Sequence, residues 1–375
     1  MKMTAPHTVE MLVYLCACAV NQKTPSAEKL NGINLEKLYD TAKEHLLQSA
    51  AGMALASAGI RDDRFEQAVL QAQRKNALLD ADRTLVLDAL EKAEIWYMPL
   101  KGAILKDLYP RFGMRQMADN DILFDADRRA DVRKIMKGLG FTVKEYDKTS
   151  HDVYHRKPLS NFEMHAQMTH GHSNDQLVIY YRDVKDRLIK DEGNRCGYHF
   201  SDNDFYLFQV AHEYNHYEVC GTGLRSLLDI YVYLKQKGKE LDWAYIDRET
   251  KKMGVAEFET LNRSLACKLF DDQPLTAAEQ KMLNYIVQSG VYGTKENEAG
   301  NQIREKGRWR YFLSRLTLPY EDMRNQYPIL RKAPILYPVM WVWRLIRMFF
   351  IDRRVYVLQV KAALGIIKPE KNEGK

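Results

Sequence analysis

Apolar residues recur at intervals of three and four from Glu10 to about Ala93, and the runs "EKLYDTAKEHLLQSAAGMALASAG" and "RFEQAVLQAQRKNALLDADRTLVLDALEKA" contain no internal proline. That spacing predicts a helical region over residues 1–93. The pattern then changes. A β-rich run from Ile95 to Met98 meets Pro99 and Lys101-Gly102 before a helical stretch through Leu108, which reads as strand, tight turn and helix. A second strand is predicted from Ala118 to Phe124, followed by a helix from about Ala126 capped by Asp125 and ended at Gly138 to Gly140. A third strand follows, then a strand pair at His151 to Tyr154 and Asn161 to Gln167. From Asp202 the helical period returns and continues toward the C-terminus. The expected fold class is α+β: a small mixed-sheet core over residues 94–200, a helical region before it, a helical domain over 201–368 after it, and a charged, disordered tail over 369–375.

Composition narrows this only a little. With 375 residues, 46% of them hydrophobic, the chain suffices for two or three cores, and its formal charge of +6 gives no strong nucleic-acid signal. Five cysteines without a C-x-x-C pair suit reduced thiols in the cytoplasm better than a disulfide framework. The apolar run near the N-terminus reads as a helix and not as a leader, because His7 and Glu10 interrupt it. No segment reaches the roughly 18 uninterrupted apolar residues of a spanning helix. The stretch "PILYPVMWVWRLIRMFFIDRR" is apolar around most of a helix and carries Arg344, Arg347 and Arg354 along one stripe. Two placements fit it: packed on the core with the basic stripe exposed, which is the expectation, or lying at a membrane surface, which is not favoured. Oligomeric state is left open.

Two patterns carry chemistry. In "VAHEYNHYEV", His212, Glu213 and His216 follow H-E-x-x-H, which on a helix sets two imidazoles on one face for zinc, with a glutamate to activate water. A zinc-dependent hydrolase is therefore one reading. It needs a third ligand, and the metzincin continuation is broken by Val219 and Thr222, leaving only the distant Asp229 or Glu240. The other pattern is "MADNDILFD". On a strand Asp119 and Asp121 share a face, and Glu163 in "NFEMHAQM" sits between Phe162 and Met164, which point the other way. Three convergent carboxylates suit hard divalent ions, Mg²⁺ or Mn²⁺, in the two-ion chemistry of phosphoryl or nucleotidyl transfer. A lone D-x-D is more often a solvated loop residue followed by a cap.

The order of motifs decides between these. "PLKGAILKDLYP" from Pro99, "RQMADNDILF" from Arg115 and "EMH" from Glu163 to His165 resemble the family of uncharacterised nucleotidyltransferases within the polymerase-β-like superfamily, with identifiable motifs over about residues 90 to 235. That resemblance implies that Asp119, Asp121 and Glu163 hold the metal and are catalytic, and that a nucleoside triphosphate is the substrate. It also implies that Lys101, Gly102 and Arg115 bind the nucleotide's phosphates. The superfamily commonly has Gly-Ser or Gly-Gly where this chain has Gly102-Ala103, so its phosphate grip would rest on Lys101 and helix N-terminal N–H groups. His165 either orients Glu163 or is a structural strand-end residue. Arg225 and Asp229, four apart in "LRSLLD", are possible cleft residues whose ordinary explanation is a pair along one helix. The resemblance makes the H-E-x-x-H spacing incidental. The acceptor and the base of the nucleotide are open, and a noncatalytic nucleotide-binding protein is the remaining alternative.

Overall fold

A computed structural model of the chain describes residues 7–169 and 175–291 and, with interruptions, residues 293–350. It contains two compact units, one of Met1–Asn215 with Thr222–Val291, the other of His216–Gly221 with Tyr292–Lys375.

In the first unit, the predicted helical region comprises α1 (His7–Val20), α2 (Ala27–Leu30), α3 (Leu35–Glu44), α4 (Gln48–Ser57) and the long α5 (Asp63–Lys92). The Asp62 carboxylate opens α5 by accepting from the N–H groups of Arg64 and Phe65, two of the donors that a helix start leaves without intrahelical partners. The core sheet follows. Its strands are β1 (Tyr97–Pro99), β2 (Asn120–Phe124), β3 (Thr142–Glu145), β4 (His151–Arg156) and β5 (Ser160–His165), in the order β1-β2-β5-β4-β3. Only β2 and β5 run parallel; the other three pairs are antiparallel. The sheet is thus mixed, and the α+β class holds.

Alternation along the strands explains which face is covered. Ile122, Phe124, Tyr154, Phe162 and Met164 are fully buried and pack with Val86 and Leu90 of α5 and with Val132 and Met136 of α7 (Arg129–Gly138). Asp121, Glu163 and His165 alternate with these residues and so emerge on the opposite face. Of the boundaries that differ from the sequence reading, three lie on the way into and out of β1 and β2. The first strand is Tyr97–Pro99, two residues later than expected at its start, because the chain from α5 returns through Ile95, whose N–H bonds to Leu90 O. Asp119 precedes β2 instead of lying within it. The stretch after Asp125 is a 3-10 turn, Ala126–Arg128, capped by the Asp125 carboxylate, and α7 begins only at Arg129.

Between α6 (Lys101–Leu108) and the later helices lie α8 (Asp175–Tyr180) and a two-stranded ladder of β6 (Ile189–Lys190) and β7 (Tyr198–His199). Then come α9 (Asp202–Val219), α10 (Leu224–Lys237), α11 (Trp243–Lys252), α12 (Ala256–Phe270) and α13 (Ala277–Ser289). Thr276 and Glu279 close a reciprocal capping box at the start of α13.

The second unit overturns the expected orientation of its last described helix, α14 (Tyr337–Phe350). Tyr337, Met340 and Trp341 pack on Met323, Tyr327 and Leu330, and Arg344, one turn further along that face, is buried. Val339, Val342, Trp343 and Ile346 are exposed, so both faces carry apolar residues and Arg344 is on the packed one. Tyr337, Trp341 and Arg344 share one face, which packs through two rings, Met340 and the arginine's aliphatic stem. Arg354 and the charged tail lie outside the described residues. Among the described residues no helix is long and apolar enough to cross a membrane.

Candidate active site

The uncovered face of the sheet is built by three local constraints. Asn120, fully buried between the two aspartates, donates to Leu79 O at 2.8 Å and accepts from Arg83 at 3.1 Å, which pins the start of β2 to α5 and turns Asp119 and Asp121 away from it. The parallel pairing of β2 with β5 sets Asp121 directly beside Glu163. The Leu100 N–H donates to Asp121 O at 2.8 Å, so the turn that starts α6 is tied to the same strand. As a result, ligand oxygens of Asp119, Asp121 and Glu163 lie within 4.8 Å of one another. Asp121 and Glu163 keep 24% and 28% of their side chains exposed, enough for an ion to reach them from solvent.

Two histidines border the carboxylates. His165 Nε2 is 3.2 Å from Asp121 Oδ1 and 3.8 Å from Glu163 Oε2. His151, opposite His165 in the antiparallel β4–β5 register, places Nε2 3.6 Å from the same Glu163 oxygen. His165 was singled out by its position in the "EMH" motif. His151 was not, and the one sequence signal for it was the pairing of the two predicted strands, which brings it across from His165 only once their register is known.

Crowding like charges on one edge raises their proton affinity. Burial, then the neighbouring Asp121, lifts Glu163 from its ordinary value to about 7 and Asp119 to about 6. Asp121 is held below the usual carboxylate range: burial would raise it, but the hydrogen bond and charge of His165, with Lys101 further off, outweigh that. Lys75 on α5 offsets part of the charge of Asp119. The oxygen donor set and this repulsion both fit a divalent cation, which would neutralise what the fold leaves crowded. The sign of the pH dependence follows. A carboxyl group raised in the folded state contributes stability below its ordinary value and loses it as pH climbs through the raised value. Metal-free protein should therefore lose thermal stability between about pH 5 and pH 8, through the raised values of Asp119 and Glu163. Millimolar Mg²⁺ should restore that stability at the upper end and not at the lower. A melting temperature at the alkaline end that ignores Mg²⁺ and Mn²⁺ alike would contradict the assignment of these groups as ligands.

Beside the carboxylates stands a buried, mostly basic group. Lys101, first residue of α6, has Nζ 2.9 Å from His212 Nδ1 on α9. Burial lowers its ammonium to about 8, with Arg115 and Arg225 adding to the drop and Asp229 opposing it. A Cβ on Gly102 would stand 2.9 Å from Met117 Cε, so a larger residue here would push Met117 against its surroundings. Arg115 is buried and forks onto Asp229 of α10, Nε to Oδ1 at 2.7 Å and Nη2 to Oδ2 at 2.9 Å, while the Tyr109 hydroxyl donates to Oδ1 at 2.7 Å. Arg225, one turn earlier on α10, adds its positive charge to that of Arg115 at Asp229. Both oxygens of Asp229 are engaged by residues more than a hundred positions away, because α10 packs across α6. Arg225 itself reaches Gln116 O at 3.2 Å, on the loop that leads to Asp119.

Among the described residues no group of three potential metal ligands includes His212, Glu213 or His216. Glu213 is buried and accepts from Asn262 at 2.9 Å, His212 meets Lys101, and His216 is exposed. The groups of three or more potential ligands among the described residues are Asp119 with Asp121 and Glu163, and His151 with Glu163 and His165.

A mixed sheet that crowds a D-x-D pair and a third acidic residue onto one face, beside a lysine at a helix start, agrees with the nucleotidyltransferase class that the motifs resemble. The particular family follows from comparison: residues 31–271 match the model of the family described as uncharacterised nucleotidyltransferase, and the chain belongs to that family. Neither a curated protein nor a solved structure shows significant similarity to it.

Proposed function

We propose that the protein transfers a nucleoside monophosphate from a nucleoside triphosphate to a hydroxyl acceptor, with Mg²⁺ or Mn²⁺ held by Asp119, Asp121 and Glu163. The observation that carries this reading is the convergence of those three carboxylates in a chain of this family. Divalent ions bound there would lower the pKa of the attacking hydroxyl and offset the charge that builds on the leaving pyrophosphate. The protein's own part is placement. Asp121 and Glu163, adjacent across two strands, hold their oxygens on one side of the sheet, and Asp119 reaches the same point from the loop before β2. In this reading Lys101 meets the β and γ phosphates, supported by the His212 contact to its ammonium and by the Leu100 tie of its backbone to β2. Gly102 lets Met117 pack closely on the start of α6, where a Cβ would crowd it. Arg115 is occupied by Asp229, and in this reading it acts on the nucleotide through the placing of α6 and Met117 instead of by a fork of its own on phosphate.

All five cysteines are free thiols, which supports a reduced, cytoplasmic setting. The acceptor is best found directly. Protein incubated with each α-labelled triphosphate, Mg²⁺ or Mn²⁺, and a lysate of its host should pass label to one class of molecule, and Lys101→Met should reduce the transfer by about 100-fold, mostly in KM for the triphosphate. Tight triphosphate binding with no labelled product under any condition would overturn the proposal in favour of a noncatalytic nucleotide-binding protein. Stoichiometric zinc in the purified protein, lost with activity on His212→Ala, would overturn it in favour of a hydrolase.

A further inference from the structure

The second ligand group on the sheet face differs in kind from the first. His151, Glu163 and His165 bring two imidazole nitrogens and one carboxylate oxygen within 4.8 Å of one another. The two nitrogens stand 3.6 and 3.8 Å from Glu163 Oε2, too far for hydrogen bonds. They are close to the separation of about 3.4 Å between two donors that each sit about 2.1 Å from a shared tetrahedral ion. The rings are 5.0 Å apart and tilted by 40°, so they are not stacked face to face. Had the histidines served only to brace Glu163, each would be expected to approach it at hydrogen-bond distance, as His165 does Asp121 at 3.2 Å.

We infer that His151, Glu163 and His165 form a second cation position that shares Glu163 with the carboxylate set and takes a first-row transition ion, such as Mn²⁺, Fe²⁺ or Zn²⁺, in preference to Mg²⁺. The inference deepens the proposed function, since it rests on Glu163 being a metal ligand there. Mg²⁺ takes oxygen ligands and dehydrates reluctantly, whereas two imidazoles with one carboxylate suit borderline transition ions. The three positions come from adjacent antiparallel strands, so no loop has to move to bring them together. His165 Nε2 exchanges its hydrogen bond to Asp121 for the ion, leaving Asp121 to the oxygen-lined position. The site would then carry one ion chosen by oxygen donors and one chosen by nitrogen, with Glu163 between them.

The test uses Mn²⁺ and the full-length protein. Electron spin-echo modulation of bound Mn²⁺ should show coupling to imidazole ¹⁴N, and protein grown with ¹⁵N-histidine should change that pattern. His151→Ala should weaken Mn²⁺ at this position by at least the roughly 10–100-fold that loss of an outer-shell partner costs, and His151→Gln, which keeps bulk, should do the same. Mg²⁺ affinity in both variants should change by less than about threefold, because Mg²⁺ draws on oxygens. Asp121→Asn should leave the nitrogen coupling in place while transfer is lost; nitrogen coupling in a parent protein that shows no transfer under any condition would support this inference while counting against the proposed reaction. Bound Mn²⁺ without nitrogen coupling, or equal losses of Mg²⁺ and Mn²⁺ in both His151 variants, would overturn it.

Discussion

Replacing Asp121 with Asn should lower metal-dependent nucleotidyl transfer by about three orders of magnitude or more, with no loss of fold. Asn keeps the shape of the side chain and removes its charge. Asp121 is the carboxylate on which the others depend: it lies beside Glu163 in register, is hydrogen-bonded to His165, and is the member of the set held below the usual range. Its charge also contributes to raising Asp119 and Glu163. The variant's metal-free form should therefore lose less stability than the parent's between about pH 5 and pH 8, since part of the repulsion that raises Asp119 and Glu163 has been relieved. Single-turnover rates with saturating triphosphate, read alongside circular-dichroism melts, separate the two effects. A variant that retains more than about a tenth of the parent rate would remove Asp121 from the reaction.

The second large effect is structural. Arg115 and Asp229 are both almost fully buried, and Asp229→Ala would leave the guanidinium without its charge partner and the Tyr109 hydroxyl without its acceptor. Breaking a buried pair from one side costs about 3–5 kcal/mol, several times the median for an exposed ion pair. Urea denaturation should show that loss as a lower midpoint at unchanged slope. The double variant Arg115→Met with Asp229→Leu should recover much of it, because replacing both partners with apolar residues removes the uncompensated charge. Its activity should stay low even where stability returns, since the Arg115 fork also sets Met117 and the start of α6. If Asp229→Ala proved as stable as the parent, the bidentate pair would not be what locks α10 onto α6.

The carboxylate site was legible in the sequence because its determinants are local. A period of two in "NDILF" and "NFEMH" separates Ile122, Phe124, Phe162 and Met164 from Asp121, Glu163 and His165, and burial follows that division. The placement of Asp119 just ahead of the strand was not legible, because what pins it is Asn120 reaching back to α5. His151 was hidden for a similar reason: its relation to His165 exists only in the β4–β5 register. The Arg115 fork on Asp229 was not legible, because sequence spacing offers Arg225 at the helical interval and says nothing of a partner more than a hundred positions away. The outward apolar face of α14 was missed because helical periodicity shows that a helix has two faces and not which one meets a core.

The central claim is that this chain moves a nucleoside monophosphate, and paired labels test it most directly. Two parallel reactions contain the protein, the preferred divalent ion, the acceptor and a triphosphate labelled at either the α or the γ phosphorus. The account predicts that α-label enters the acceptor with one pyrophosphate released for each transfer, and that γ-label appears only in pyrophosphate, both dependent on Asp121. Transfer of γ-label to the acceptor, or release of orthophosphate without any labelled acceptor, would contradict it.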